Sequence, residues 1–344
     1  MLVALYQYFD HYMNGCFPTG QPHQLFLGNL VISILIGGVF GGSALVFLWE
    51  RWLRKMVFLR AVGLIFISLI SMYLLINLAT TVVSDFQNPA SFSFPKFLSQ
   101  LFNAIGDKIA LLNFFFWLVV VFLTLGVLLV RDRFGPRVFL AFLLGKYFTP
   151  KKENRIFMFA DLKSSTTIAE ELGEEKYFHF LNDVFSMVVP EIIKSRGEIY
   201  QYVGDEIVVT WELQAGLRKA NCLHSFFAVD SVLQQKESHF METYGVAPKF
   251  RAGLHGGTIT AGEIGVVKRE LVYSGDVLNT ASRIQAKCSE FDLSLLISKS
   301  LMDQINPKDL NAKTKALKDE RLKGKASTMD LVSVSEMQPK VSYA

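Results

Sequence analysis

A membrane part built of transmembrane α-helices, followed by a cytoplasmic α+β domain, is the architecture this sequence predicts. Three observations carry that expectation. Apolar residues, 51% of the 344 positions, crowd in before about residue 150, and the charges gather after it. Three long runs lack any Asp, Glu, Lys, Arg or His. From Arg155 onward, short strand-like runs alternate with helical patterns.

The charge-free runs are Leu25 to Trp49, Ala61 to Val83 and Leu111 to Val130. Each reaches the roughly 20 apolar residues that a helix needs to cross a hydrocarbon core. Inside lipid, backbone groups must bond within their own segment, so helices are expected. No basic residue precedes the first run, and no clear small-residue cleavage site ends it, which argues against a signal peptide. Residues 1–20 begin "MLVALYQYF", which leaves a short fourth span open. Arg51, Arg54, Lys55 and Arg60 separate the first two runs. Arg131, Arg133, Arg137, Lys146, Lys151, Lys152 and Arg155 follow the third, whereas only Lys96 and Lys108 lie between the second and third. The bias places the short basic loop and everything after residue 131 on the cytoplasmic side of an inner or plasma membrane. Gly37 with Gly41 and Gly38 with Gly42 are small-xxx-small pairs. They suit a dimer seam and packing within one chain equally. No acid or base interrupts the spans, which excludes an ion pathway and fits an anchor or sensor. Residues 134–154 read as an amphipathic connector at the membrane face.

The net charge of +4 and the lack of a basic stripe exclude a nucleic-acid partner. The three cysteines, Cys16, Cys222 and Cys288, have no metal-ligand spacing and read as inert thiols.

In the soluble half, "RIFMFADL" is a buried strand ending in Asp161. A helix starts at the Ser/Thr run that follows; Gly173 divides it and Gly197 closes it. "EIYQYVGDEIVVTW" is a hairpin turning at Gly204–Asp205. A helix covers 213–241, and "KFRAGLHGGTITAGEIG" is Gly-rich strand and turn. "RELVYSGDVLNTASRIQAKC" passes from strand through Gly275–Asp276 into a helix. "LSLLIS" is a strand, and "LKDERLKGKASTMDLVSV" a terminal hairpin. Such an order predicts a mixed or antiparallel sheet with helices.

Asp161 at a strand end and Asp205 at a hairpin tip bring two carboxylates to one spot if their strands are neighbours. Rigid oxygen ligands of this kind suit Mg²⁺. A pair of ions there clamps both oxygens of a phosphoryl displacement. "LKSST" opens a helix beside Asp161, so the N–H groups near Ser164, Ser165 and Thr166 offer a phosphate cradle.

"FMFADLKSST", "YQYVGDEIV" and "VYSGDVLNTASRI" resemble, in order and spacing, three core motifs of the class III nucleotidyl cyclases. The resemblance covers about 155–335 and implies a ferredoxin-like α+β catalytic domain. It also implies two Mg²⁺ or Mn²⁺ ions per site, held by Asp161, Asp205 and the carbonyl of Leu162. The family's Asn and Arg fall on Asn279 and Arg283, one helical turn apart. In that family the pair comes from the other subunit, which implies a homodimer here, with Asn279 for the ribose and Arg283 for the α-phosphate. The phosphate-holding Lys matches Lys323, with Lys325 close by. The base-reading positions fall on Gln201 and Val272, where ATP-using members carry Lys and Asp or Thr, and GTP-using members carry Glu and Cys or Ser. An amide donates and accepts, so Gln201 serves either purine. The expectation is an adenylate cyclase in the lipid bilayer, making cyclic AMP and pyrophosphate from ATP. A guanylate cyclase and an inactive receptor retaining the fold are the alternatives.

Overall fold

This computed structural model describes residues 42–52, 56, 58–87, 94–106, 108–267, 269–310, 312–322 and 328–337. The chain divides into two compact units, residues 1–139 and 140–344.

In the first unit, helices α1 (Gly42–Arg51), α2 (Phe58–Gln87), α3 (Phe94–Gly106) and α4 (Lys108–Phe134) follow one another. Ala61 and Ile65 of α2 pack with Leu125 and Leu128 of α4. Helices α2 and α4 run 30 and 27 residues, with side chains at several positions outside the description. Among the described residues, no helix is long and apolar enough to cross a membrane. The three expected spans are therefore not established by the structure, and most of the first lies outside the described residues.

Helix α5 (Pro136–Leu143) leads to the second unit's sheet. Its strands are β1 (Lys151–Leu162), β2 (Glu198–Val203), β3 (Glu206–Glu212), β4 (Phe250–Ile264), β5 (Glu270–Ser274), β6 (Leu295–Ser298), β7 (Ala312–Arg321) and β8 (Thr328–Met337). They form one eight-stranded sheet in the order β2-β3-β1-β4-β6-β8-β7, with β5 paired to β4. Among the described residues, only the β4–β6 pairing is parallel. This is the mixed α+β sheet the sequence predicts.

Strand β1 is central and covered on both sides, which explains its unbroken apolar run. Successive side chains alternate between faces. Ile156, Met158, Ala160 and Leu162 enter one core, built with α7 (Glu174–Lys194), α9 (Asn221–Gln235) and α10 (Glu237–Tyr244). Phe157 enters the other, with Ile259, Tyr273, Val277 and Ala281. Strand β1 starts at Lys151, four residues before the apolar run, because Lys151 and Lys152 pair with Ala261 and Thr260.

Helix α6 (Ser165–Leu172) and α7 meet at Gly173, whose φ of 76° ends one helix and admits the next. The single helix expected over 213–241 is instead α8 (Leu213–Leu217), a 3₁₀ turn (Arg218–Ala220), α9 and α10. Lys219 and Ala220 take φ of 54° and 52°, which no continuous helix allows. The Gly-rich segment expected as strand and turn is the 15-residue strand β4.

Helix α11 (Asp276–Glu290) lies against β4 at Gly253. A Cβ at 253 would sit 2.2 Å from the Gln285 nitrogen and 2.6 Å from the Ala281 carbonyl oxygen. Both are backbone atoms and cannot rotate aside. Gly253→Ala is therefore expected to lift α11 and cost about 1–3 kcal/mol, read as a lower urea midpoint. A variant as stable as the parent would show that α11 does not need this close approach.

Candidate active site

The hairpin between β2 and β3 is closed by Gly204 and Asp205, with Val203 opposite Glu206. Gly204 has a φ of 64° and Asp205 keeps the ordinary sign. Positive φ at the first central residue alone is what a II′ turn requires, and glycine supplies it. Strand β3 then pairs with β1 up to Ile207 opposite Ala160. That register sets Asp205 and Glu206 beside Asp161.

The two carboxylates converge. Burial, a hydrogen bond with Asp205 and the charge of Asp205 push Asp161 up to about 6. Gln285 opposes this by donating Nε2 to Asp161 Oδ2 at 3.3 Å. Burial pushes Glu206 up to about 7, with the charges of Asp161 and Asp205 adding. Tyr177 also faces the pair: burial, then Asp205 and Asp161, raise its phenol, and Ser165 hydrogen-bonds it. Asp205 Oδ2 is buried with no hydrogen-bond partner. A buried acceptor without a donor is costly, and a cation would satisfy it. Among the described residues, no group of three or more His, Cys, Asp or Glu is arranged for a metal. The donor set is two carboxylates plus main-chain oxygen, which suits a hard divalent ion that keeps part of its water shell.

Leu162 is buried and opposite Phe250, so its side chain serves the core and a ligand role would fall to its carbonyl. Ser164 is exposed, takes a φ of 59° and makes no side-chain cap to α6. Ser165 is half-buried and Thr166 exposed at the start of that helix. Gln201 on β2 is exposed, and Val272 on β5 is half-buried. Their neighbours Tyr200 and Tyr273 touch, with ring centroids 4.9 Å apart. Lys323 and Lys325 lie outside the described residues.

Asn279 and Arg283 are on α11, exposed and half-buried respectively. Gln285, on the same helix, marks the side facing Asp161. At about 100° per residue, Arg283 stands roughly 200° and Asn279 roughly 240° around the helix from Gln285. The pair thus faces away from its own chain's acids. Among the described residues, no hydrogen bond or ion pair joins it to Asp161 or Asp205. Gln285, Glu206 and Tyr177 are site neighbours that the motif reading leaves out. Glu206 adjoins the hairpin acid in sequence, whereas Gln285 and Tyr177 reach the site only through tertiary packing. Burial pushes the Cys222 and Cys288 thiols up to about 12, as inert thiols require.

The acid pair has a consequence for stability. Asp161, ordinarily near 3.8, titrates near 6 in the folded chain. Glu206, ordinarily near 4.5, titrates near 7. The folded state binds these protons more tightly than the unfolded one. Their stabilising contribution is complete below the ordinary carboxylate range and is lost as pH rises through 6 to 7. Metal-free protein is expected to melt at lower temperature at about pH 7.5 than at about pH 5, and Mn²⁺ to restore the loss at the higher pH. A pH-independent midpoint, or one indifferent to Mn²⁺, would refute an ion site at these carboxylates.

Residues 149–334 match the family model described as the adenylate and guanylate cyclase catalytic domain. Adenylate cyclase 2 of Rhizobium meliloti (strain 1021) is 34% identical over 209 residues, 61% of this chain and 57% of that protein. An adenylate cyclase of Anabaena cylindrica is 24% identical over 185 residues, 52% of this chain and 36% of that protein. The chain therefore spans little more than half of the first relative and about a third of the second. A bacterial light-regulated adenylyl cyclase structure has the same fold, with a TM-score of 0.55 at 18% identity over 64% of each chain.

Proposed function

The chain belongs to the adenylate and guanylate cyclase catalytic domain family, and from that premise we propose that it is a membrane-anchored adenylate cyclase acting as a homodimer. The observation that carries the reading is the meeting of Asp161 with Asp205, beside an unpartnered buried oxygen of Asp205. Asp161, the carbonyl of Leu162 and Asp205 would hold Mg²⁺ or Mn²⁺, two ions per site. A divalent ion bound there supplies charge neutralisation and a lowered pKa for the attacking 3′-hydroxyl. The chain's own residues position the rest. N–H groups at the start of α6, at Ser165 and Thr166, face the phosphates. Lys323 neutralises the terminal ones. Gln201 and Val272 hold the purine. Asn279 orients the ribose, and Arg283 meets the charge that grows on the α-phosphate.

The homodimer reading is supported by the helix geometry. A helix that aims Gln285 at Asp161 turns Arg283, about 160° away, and Asn279, about 120° away, from that acid and the nucleotide beside it. A second copy related by a two-fold axis supplies the pair to both sites.

Membrane anchoring, and with it a cytoplasmic catalytic domain, rests on the first unit's surface. Ile67 and Leu75 of α2 and Phe122, Leu123 and Val127 of α4 are all exposed. A bundle with apolar residues outside as well as inside suits lipid. ATP is favoured because the acid read by guanine-using members is absent at Gln201, and both curated relatives compared above are named adenylate cyclases. The test is the purified full chain in detergent with Mn²⁺ or Mg²⁺ and either ATP or GTP. Cyclic AMP is expected from ATP. Cyclic GMP instead would make it a guanylate cyclase, and no product from either would leave the inactive receptor.

A further inference from the structure

Arg155 is only 2% exposed, yet its guanidinium is inside the catalytic unit. It donates Nε to Glu153 Oε2 at 2.9 Å and Nη1 to Glu198 Oε2 at 3.0 Å. Its guanidinium also lies over the Tyr273 ring, 4.9 Å from the centroid. Glu153 is held in turn by Lys146 at 3.0 Å and by the Tyr147 hydroxyl at 3.1 Å. Burial opposes the charge on Arg155, but Tyr273, Glu198 and Glu153 more than offset it.

What this network spans is informative. Glu198 is on β2 and Tyr273 on β5. Among the described residues, β2 pairs only with β3, and β5 only with β4. Among the described residues no main-chain ladder joins β2 directly to β5; the sheet connects them only through β3, β1 and β4. Side chains join them directly: the Tyr200 ring lies 4.9 Å from that of Tyr273, tilted at 54°, and its hydroxyl accepts the Tyr273 N–H at 3.4 Å. Phe157 of β1 meets both rings edge-on. Arg155, two residues before it on the same face, bonds one strand and covers the aromatic of the other. A buried ion network gains little stability over apolar packing of equal volume, because desolvation consumes the attraction. Its return is directional: the planar guanidinium fork accepts few arrangements.

We propose that Arg155 is a positioning residue that sets the separation of β2 and β5, and through it the spacing of Gln201 and Val272 that selects the purine. The specificity half of this rests on the cyclase reading above; the structural half does not.

The test compares the full chain in detergent with a compensated variant, Arg155→Met with Glu153→Gln and Glu198→Gln, which leaves no lone buried charge. Arg155→Lys, which keeps the charge and loses the fork, is the second variant and serves if the first does not fold. Hydrogen exchange is followed at residues 200–202 and 271–273. ATP and GTP are titrated in competition with a fluorescent ATP analogue. Faster exchange at both strands is expected. The ATP-over-GTP preference should shrink by about tenfold, the effect of one displaced hydrogen-bonding contact. A general loss of stability would weaken both nucleotides alike and leave the ratio unchanged. Unchanged exchange in a folded variant overturns the proposal, as does loosened β2 and β5 with an unchanged ratio. A wild-type chain that binds neither nucleotide refutes the cyclase reading and the specificity half with it; exchange at β2 and β5 still decides whether Arg155 fixes them.

Discussion

Asp161→Ala and Asp205→Ala are each expected to lower cyclic AMP formation by about 10³-fold or more, the loss that follows when charge stabilisation at a phosphoryl-transfer site is removed. The fold should survive. Asp161 is pushed up to about 6 by burial and by Asp205, so at neutral pH the metal-free carboxylates oppose one another. Removing either relieves that opposition, and Asp205 Oδ2 gains from no hydrogen bond that alanine would forfeit. Asp205→Ala should therefore melt no lower than the metal-free parent at about pH 7.5, whereas Asp161→Ala also gives up the Gln285 hydrogen bond and offsets part of that relief; in both the pH dependence of melting should shrink. Each should also lose the stabilisation by Mn²⁺. Chromatographic detection of cyclic product alongside thermal melts separates a dead site from a broken fold. Appreciable product from either variant would remove these two carboxylates from the reaction.

The parts of this site that were legible in sequence are those written in local chemistry. Gly204–Asp205 announces a tight hairpin because the turn needs a positive φ, and Gly204 has it. Asp161 is visible because a central strand reads as an apolar run and an acid at its end stands out. The alternation of strands and helices gives a mixed sheet without revealing which pair is parallel. The start of β1 was hidden because "KKEN" pairs with β4 while presenting mostly exposed side chains. The break at Lys219–Ala220 was hidden because neither residue type signals a left-handed conformation. There the Asn221 amide bonds the Ala215 carbonyl across the kink at 2.9 Å. Gln285 was invisible for a different reason. It reads as one more polar residue on a helix, and only the approach of α11 to β4 at Gly253 brings it to Asp161. Tyr177 and Arg155 likewise acquire their partners across elements distant in sequence. Local pattern thus locates the candidate ligands, and tertiary packing decides what orients them.

Mixing Asp161→Ala chains with Arg283→Ala chains should restore activity that neither variant has alone. The expectation comes from the faces of α11. Gln285 points inward to the acid of its own chain, and Arg283 stands on nearly the opposite side of the helix. A site that needs both must draw the arginine from a second chain. In a mixed dimer the two lesions then fall in one site: the chain lacking Asp161 offers defective acids, and its partner offers the defective arginine to them. The other site combines intact acids with an intact arginine. A two-fold dimer has two equivalent sites, so random mixing gives roughly half mixed dimers with one good site each, about a quarter of parental activity. Recovery should rise with incubation time as subunits exchange, and should fail when Asp161→Ala is mixed with Asp205→Ala, because both lesions then disable the acids of every site. If the first mixture stayed as inactive as its components while subunit exchange was demonstrated by a tagged pull-down, Arg283 would have to act on the acids of its own chain. The outward face of α11 would then need another purpose.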